Sequence, residues 1–172
     1  STWAGVLLAV TAGAAFEAFG GLLGPYLLDR GVPKDDIGWF LALPMVGSMM
    51  LGALVGGWLA DRAGHRWLVA GSVGAIAAWL GVVVQLDGTG VSNRALMAAI
   101  APIYVLIGVL TASSYALFMD LTDPDLAATQ FSAFMGATDL CEVWAVASAG
   151  AIAEARGYAP AFMVMAAISL IA

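Results

Sequence analysis

Apolar residues fall in five long runs and the beginning of a sixth, with short polar turns between them. A helix that crosses the hydrocarbon core of a bilayer needs about 20 mostly apolar residues. On that measure the runs predict helices over about residues 2–28, 37–59, 67–86, 95–118 and 124–155, with a sixth over 158–172. Pro25 and the polar stretch 29–36 are expected to close the first helix. Pro44 lies inside the second, near Gly47, Gly52, Gly56 and Gly57, and Pro102 lies inside the fourth. Such prolines are tolerated in a membrane where neighbours satisfy the freed carbonyls, and both are expected to kink their helices. Asp87-Gly88-Thr89-Gly90 ends the third. Asp123 offers an N-cap for the fifth, with Pro124 in the first helical position. Trp3, Trp39, Trp58 and Trp67 stand near helix ends, where an aromatic belt at the membrane surface would hold them. The pattern describes one all-α integral membrane bundle over residues 1–172, with the lipid bilayer as its solvent.

Composition agrees and removes several functions. Hydrophobic residues make up 62% of the 172 and charged residues 10%, against roughly a quarter charged in soluble domains. A net charge of −6 argues against nucleic acid as a partner. Cys141 is the single cysteine and His65 the single histidine, so neither a disulfide nor a cysteine or histidine metal site can form within the chain. No metal, catalytic residue or cofactor is expected. The first run lacks a basic leader and carries Glu17, unlike a signal peptide. The start without methionine and the end inside an apolar run lead us to expect a fragment with a truncated last helix.

Between the second and third runs stands GWLADRAGHR, Gly57 to Arg66. Glycines flank a pair of opposite charges, Asp61 and Arg62, where one helix ends and the next begins; we expect the glycines to allow a close-packed turn. The stretch resembles the signature loop of the major facilitator superfamily, G-x-L-a-D-r-x-G-r-[K/R]. Gly57, Leu59, Ala60, Asp61, Arg62, Gly64 and Arg66 match, and His65 stands where a basic residue is usual. The spacing Gly57-x-x-Ala60-Asp61-x-x-Gly64 recurs as Gly150-x-x-Ala153-Glu154-x-x-Gly157, which maps helices one to three onto four to six. Units of three helices must cross the membrane in opposite directions. Two such inverted repeats build each six-helix half of a facilitator.

A narrower resemblance covers Tyr115 to Leu140, which is similar to the fourth-to-fifth helix passage of muropeptide permeases and related siderophore importers. An acidic-proline turn leads there into Ala128-Thr129-Gln130-Phe131. Pro25-Tyr26-Leu27-Leu28-Asp29 followed by Ile37-Gly38 also resembles the seventh-to-eighth helix passage of that branch. The resemblance implies the C-terminal half of a twelve-helix carrier, with an N-terminal six-helix half as partner and a muropeptide-like or siderophore-like solute as cargo.

Three ionisable residues lie inside predicted spans: Glu17 in the first, Asp139 and Glu142 in the fifth. A charged aspartate at a helix centre costs about 2.5–3.5 kcal/mol on insertion scales, so such groups face a cavity or a partner. Asp139 and Glu142 are three apart and share a helix face. Two carboxylates that close should not both ionise, and one would hold a proton. No Lys or Arg lies within a span to balance them. This composition suits a proton-coupled site with the proton gradient as energy source; the alternative is a pair of acids hydrogen-bonded to a neighbouring helix. Glu17 sits on a stripe of small residues, Gly13, Gly20, Gly21 and Gly24, expected to pack helices closely. The resemblance implies that helices one, two, four and five line the central path, which puts all three acids there. Tyr115 and Trp144 are candidates for stacking on a solute, though each is more often plain packing.

The resemblance places the Asp61 loop in the cytoplasm, whereas Arg30, Lys34, Arg94 and Arg156 on the other side outnumber Arg62 and Arg66. We follow the motif, because a partner half would set the topology. Intramembrane proteolysis lacks its motifs here: neither G-x-G-D nor G-x-S-G occurs. The expected function is a multi-pass proton-coupled symporter of the inner (cytoplasmic) membrane working by alternating access. The alternatives are a half-size carrier that dimerises, a drug or metabolite efflux carrier, and a non-transporting receptor.

Overall fold

The computed structural model describes residues 2–171, and all its regular structure is helical. The first span comprises α1 (Thr2–Thr11) and α2 (Ala14–Asp29). The second comprises α3 (Lys34–Phe40), a π-helical turn (Leu41–Met45) and α4 (Val46–Ala63). The third and fourth are α5 (His65–Gly88) and α6 (Asn93–Leu121). A 3₁₀ turn (Pro124–Leu126) leads into α7 (Ala127–Arg156), and α8 (Tyr158–Ile171) completes the described chain. Four of these spans, Thr2–Asp29, Lys34–Ala63, His65–Gly88 and Asn93–Leu121, are long and apolar enough to cross a membrane. The 30 residues of α7 match them in length, but Asp139 and Glu142 dilute its apolar character.

Three helix boundaries differ from expectation. The first span is broken at Ala12–Gly13 instead of continuous. Pro25 does not close it, because α2 runs on to Asp29; a proline there frees only the carbonyl one turn earlier. Asp123 caps the 3₁₀ turn, accepting from the Asp125 amide at 3.0 Å, and not α7 itself. The prolines of the other spans are absorbed. Pro44 sits within the π-helical turn, whose wider loop accommodates the missing donor. Pro102 lies inside a continuous α6, and the Trp79 indole donates to the nearby Ala99 carbonyl at 2.8 Å.

Pairing of the spans follows a regular scheme. Helix α4 lies on α6 as α7 lies on α1 and α2, α5 lies on α6 as α8 lies on α2, and α5 and α8 touch. Phe19, Leu23, Ile76, Leu80, Ile100 and Ile103 fill the main core between the first, third and fourth spans. Alanines dominate a second cluster where α2, α7 and α8 meet: Ala14, Ala18, Ala145, Ala149 and Ala161, with Cys141 and Met165.

Close approach falls on other glycines than those the loop suggested. A Cβ on Gly57 would meet nothing within 4 Å, because the residue lies off the contact face. Gly52 and Gly56 instead press on the backbone of Val105 and Val109, and Gly108 presses on Met49 and Ala53. In the small-residue stripe, Gly21 packs against Val146 and Gly13 against Cys141 and Phe16, whereas Gly20 and Gly24 face open space. Gly64 is needed for its conformation: φ is +85° where α4 ends and α5 begins. Gly157 repeats this at φ +90° between α7 and α8.

Gly108→Ala should therefore lower the stability of the detergent-solubilised protein by about 1–3 kcal/mol, since backbone on both sides blocks relief of the overlap. Gly57→Ala should leave it unchanged, and denaturation in mixed detergent micelles compares the two.

Candidate functional site

A cavity of about 280 Å³ opens between the first, second, fourth and fifth spans. Glu17 of α2 and Asp139 of α7 line one side of it, and Thr111, Ser114 and Tyr115 of α6 line the other. Met49 of α4 closes the third side. Tyr115, itself partly exposed, meets Phe131 edge to face, with ring centroids 6.3 Å apart. Phe118, also in the wall, stacks on Phe134 at 5.0 Å. Oxygen atoms and an aromatic ring on an otherwise apolar wall suit a polar organic molecule with hydrogen-bonding groups. A larger groove, about 540 Å³, lies between the first, third, fourth and sixth spans; apart from Arg66 and Ser169 its lining is apolar. It contains no acid.

The two acids of α7 come together with Glu17. Both Glu142 and Asp139 are near enough for their charges to act on it. Asp139 and Glu142 lie on the exposed side of α7, and Glu17 is half-buried. Trp144 is placed elsewhere. Its indole N–H donates to the Val10 carbonyl at 2.9 Å, and its ring packs on the alanine-rich cluster, away from the cavity lining. The stacking role considered for it has no geometric basis here, whereas Tyr115 is at the cavity.

In the loop between α4 and α5, Arg62 lies over the Trp58 ring, 3.8 Å from its centroid. Asp61 and Arg66 are exposed, and Asp61 makes no side-chain hydrogen bond or ion pair among the described residues. The interhelical contact is made by His65, whose Nδ1 meets the Asp120 carboxylate at the end of α6. Asp120 was not singled out from the sequence; its position as the last acid of the fourth apolar run was the available signal. At the opposite end of the bundle, Tyr158 donates to Asp29 at the end of α2, at 2.7 Å. Each donor directly follows a positive-φ glycine, Gly64 or Gly157, and each acceptor ends the span packed alongside. Arg30 ties the first span to the α5–α6 turn through an ion pair with Asp87 and a hydrogen bond to Val91 at 3.1 Å.

The sequence model of the Major Facilitator Superfamily matches residues 5–172. The chain belongs to that superfamily. No curated protein matches it. As a facilitator it is a multi-pass membrane protein and a secondary transporter, a class distinct from enzymes.

Ser114→Cys and Thr138→Cys should react with a water-soluble methanethiosulfonate reagent at least about tenfold faster than buried positions. Ala145→Cys and the native Cys141, 0% and 1% exposed, should resist; equal rates at all four would remove the cavity as a solvent-accessible site.

Proposed function

We propose that this facilitator chain is the C-terminal six-helix half of a proton-coupled symporter of the inner (cytoplasmic) membrane, and that its cargo is a muropeptide-like or siderophore-like solute. The observation that carries the proposal is the placement of Glu17 and Asp139 on the wall of one cavity, with Glu142 near enough for its charge to act on Glu17. Three acids gathered in a poor dielectric, with no lysine or arginine lining the cavity, need protons or a cationic group to neutralise them. Binding a proton there makes the wall less charged, and a solute that prefers one charge state of the wall then couples its movement to the proton's.

The inverted-repeat reading is supported by the span pairing, which is preserved when spans one to three exchange with four to six. The matched Gly64–His65–Asp120 and Gly157–Tyr158–Asp29 arrangements fit the same exchange. Exposed Leu43, Met50, Leu54, Leu140 and Val143 give the second and fifth spans an apolar surface for lipid or for a partner half. The acidic-proline turn leading into Ala128-Thr129-Gln130-Phe131 supports the branch. Alternating access would rock this half against the other around the cavity, with Asp61 and Arg66 free to take partners in another conformation.

The full-length carrier in proteoliposomes should accumulate a radiolabelled disaccharide–tripeptide or a ferric hydroxamate when an inward proton gradient is imposed. Asp139→Asn should reduce this accumulation at least about tenfold while leaving solute exchange intact, and Glu142→Gln and Glu17→Gln should act in the same direction. Undiminished accumulation by all three variants would return these acids to a structural role.

A further inference from the structure

The break in the first span falls on Gly13, a weak helix former, just after Thr11, whose hydroxyl bonds back to the Leu7 carbonyl at 2.6 Å. Residues 9–15 read Ala-Val-Thr-Ala-Gly-Ala-Ala, without proline and rich in the strongest helix former. A continuous helix would join the Ala14 amide to the Val10 carbonyl and the Ala15 amide to the Thr11 carbonyl. The Ala15 amide is taken by the Ser169 hydroxyl, and the ladder of α2 begins with the Glu17 amide on the Gly13 carbonyl at 3.0 Å. Side chains from two other spans occupy the opened positions. The Trp144 indole of α7 donates to the Val10 carbonyl at 2.9 Å. The Ser169 hydroxyl of α8 accepts from the Ala15 amide at 2.8 Å, and Ser169 is 2% exposed. Insertion of side chains into the ladder is one of the few recognised causes of a sharp helix distortion. Cys141 packs against Gly13 on the same side as Trp144, where a Cβ would stand 3.4 Å from its sulfur.

The break also borders the cavity. Ala12, Gly13, Phe16 and Glu17 all contribute to its lining. Glu17 sits in the first turn of α2, so the direction in which α2 leaves the break determines where its carboxylate points. We propose that Trp144 and Ser169 are positioning residues that hold this joint in the first span and thereby aim Glu17 at the cavity. The proposal deepens the proton-site reading of Glu17 and rests on it for its meaning in transport. The joint is clamped from the fifth and sixth spans together, so a shift of either span reaches Glu17 through a hydrogen bond and not only through packing. The groups that face Glu17 are Asp139, Cys141 and Glu142 from α7 and Tyr115 across the cavity from α6. Met49 of α4 brings no titratable group to that wall, and the only one in α8, Tyr158, is at the far end against Asp29.

The test needs no solute. Trp144→Phe and Ser169→Ala remove one hydrogen-bonding group each and keep nearly the same shape. In the full-length carrier, hydrogen–deuterium exchange over residues 13–16 should rise about tenfold in each variant. Modification of Glu17 by dicyclohexylcarbodiimide, followed by mass spectrometry across a pH series, should shift its midpoint by about half a unit or more. Trp79→Phe, which removes a similar indole-to-carbonyl bond on an unbroken helix, should change neither. Faster exchange with an unmoved Glu17 profile would make the clamp merely structural and overturn the proposal. Unchanged exchange, or a wild-type Glu17 that resists the reagent at every pH, would overturn it as well. If accumulation is undiminished in the acid variants but the joint behaves as expected, proton coupling fails while the positioning of Glu17 stands.

Discussion

Hydrocarbon offers a backbone amide no partner, and each unsatisfied group there costs several kcal/mol. The whole architecture follows from that constraint. It makes the chain helical throughout, and it makes every interruption of a helix a place where something else must supply the missing bond. Pro44 is met by a π-helical turn. The break at Ala12–Gly13 is met by an indole and a hydroxyl from two other spans. Buried Ser72 and Ser113 bond back to carbonyls of their own helices at 2.8 Å and stay silent.

Hydropathy alone located the four helices long and apolar enough to cross a membrane, because the length of an apolar run is set by bilayer thickness and needs no tertiary information. The shared face of Asp139 and Glu142 was legible for a similar reason: three residues along a helix return to the same side. What joins Glu17 to them was not legible, since it depends on α2 packing against α7, more than a hundred positions away in sequence. Nor was the joint in the first span: Gly13 and Thr11 weaken the helix there, but the groups that bond to it come from α7 and α8. Gly57 illustrates a finer limit. A motif marks which glycines recur but not which face of the helix meets its neighbour, and that face carries Gly52 and Gly56 one step away. Trp144 likewise had an aromatic ring to suggest stacking, while its indole N–H proved the informative part.

The two ends of the bundle are fastened by the same arrangement with different chemistry. A glycine in the left-handed region ends one helix, the next residue begins another, and that residue's side chain reaches an aspartate at the end of a third. At one end the donor is an imidazole, at the other a phenol. The fastenings cost little backbone, because each uses a helix terminus whose groups already lie at the membrane surface.

Helices α4 and α6 meet backbone to backbone at Gly52, Gly56 and Gly108, leaving no side chain between them to flex. Helix α6 spans about 43 Å at 1.5 Å per residue, and it is tied at both ends, by His65 to Asp120 and by Arg30 to Asn93. One wall of the cavity is thus a stiff strut and the opposite wall is jointed. Under the proposed function, a solute entering between them would meet a template of hydroxyls and a phenol on α6, against which the acid-bearing wall would travel. Discrimination by shape would then belong to the rigid side, and the change in charge to the side that moves.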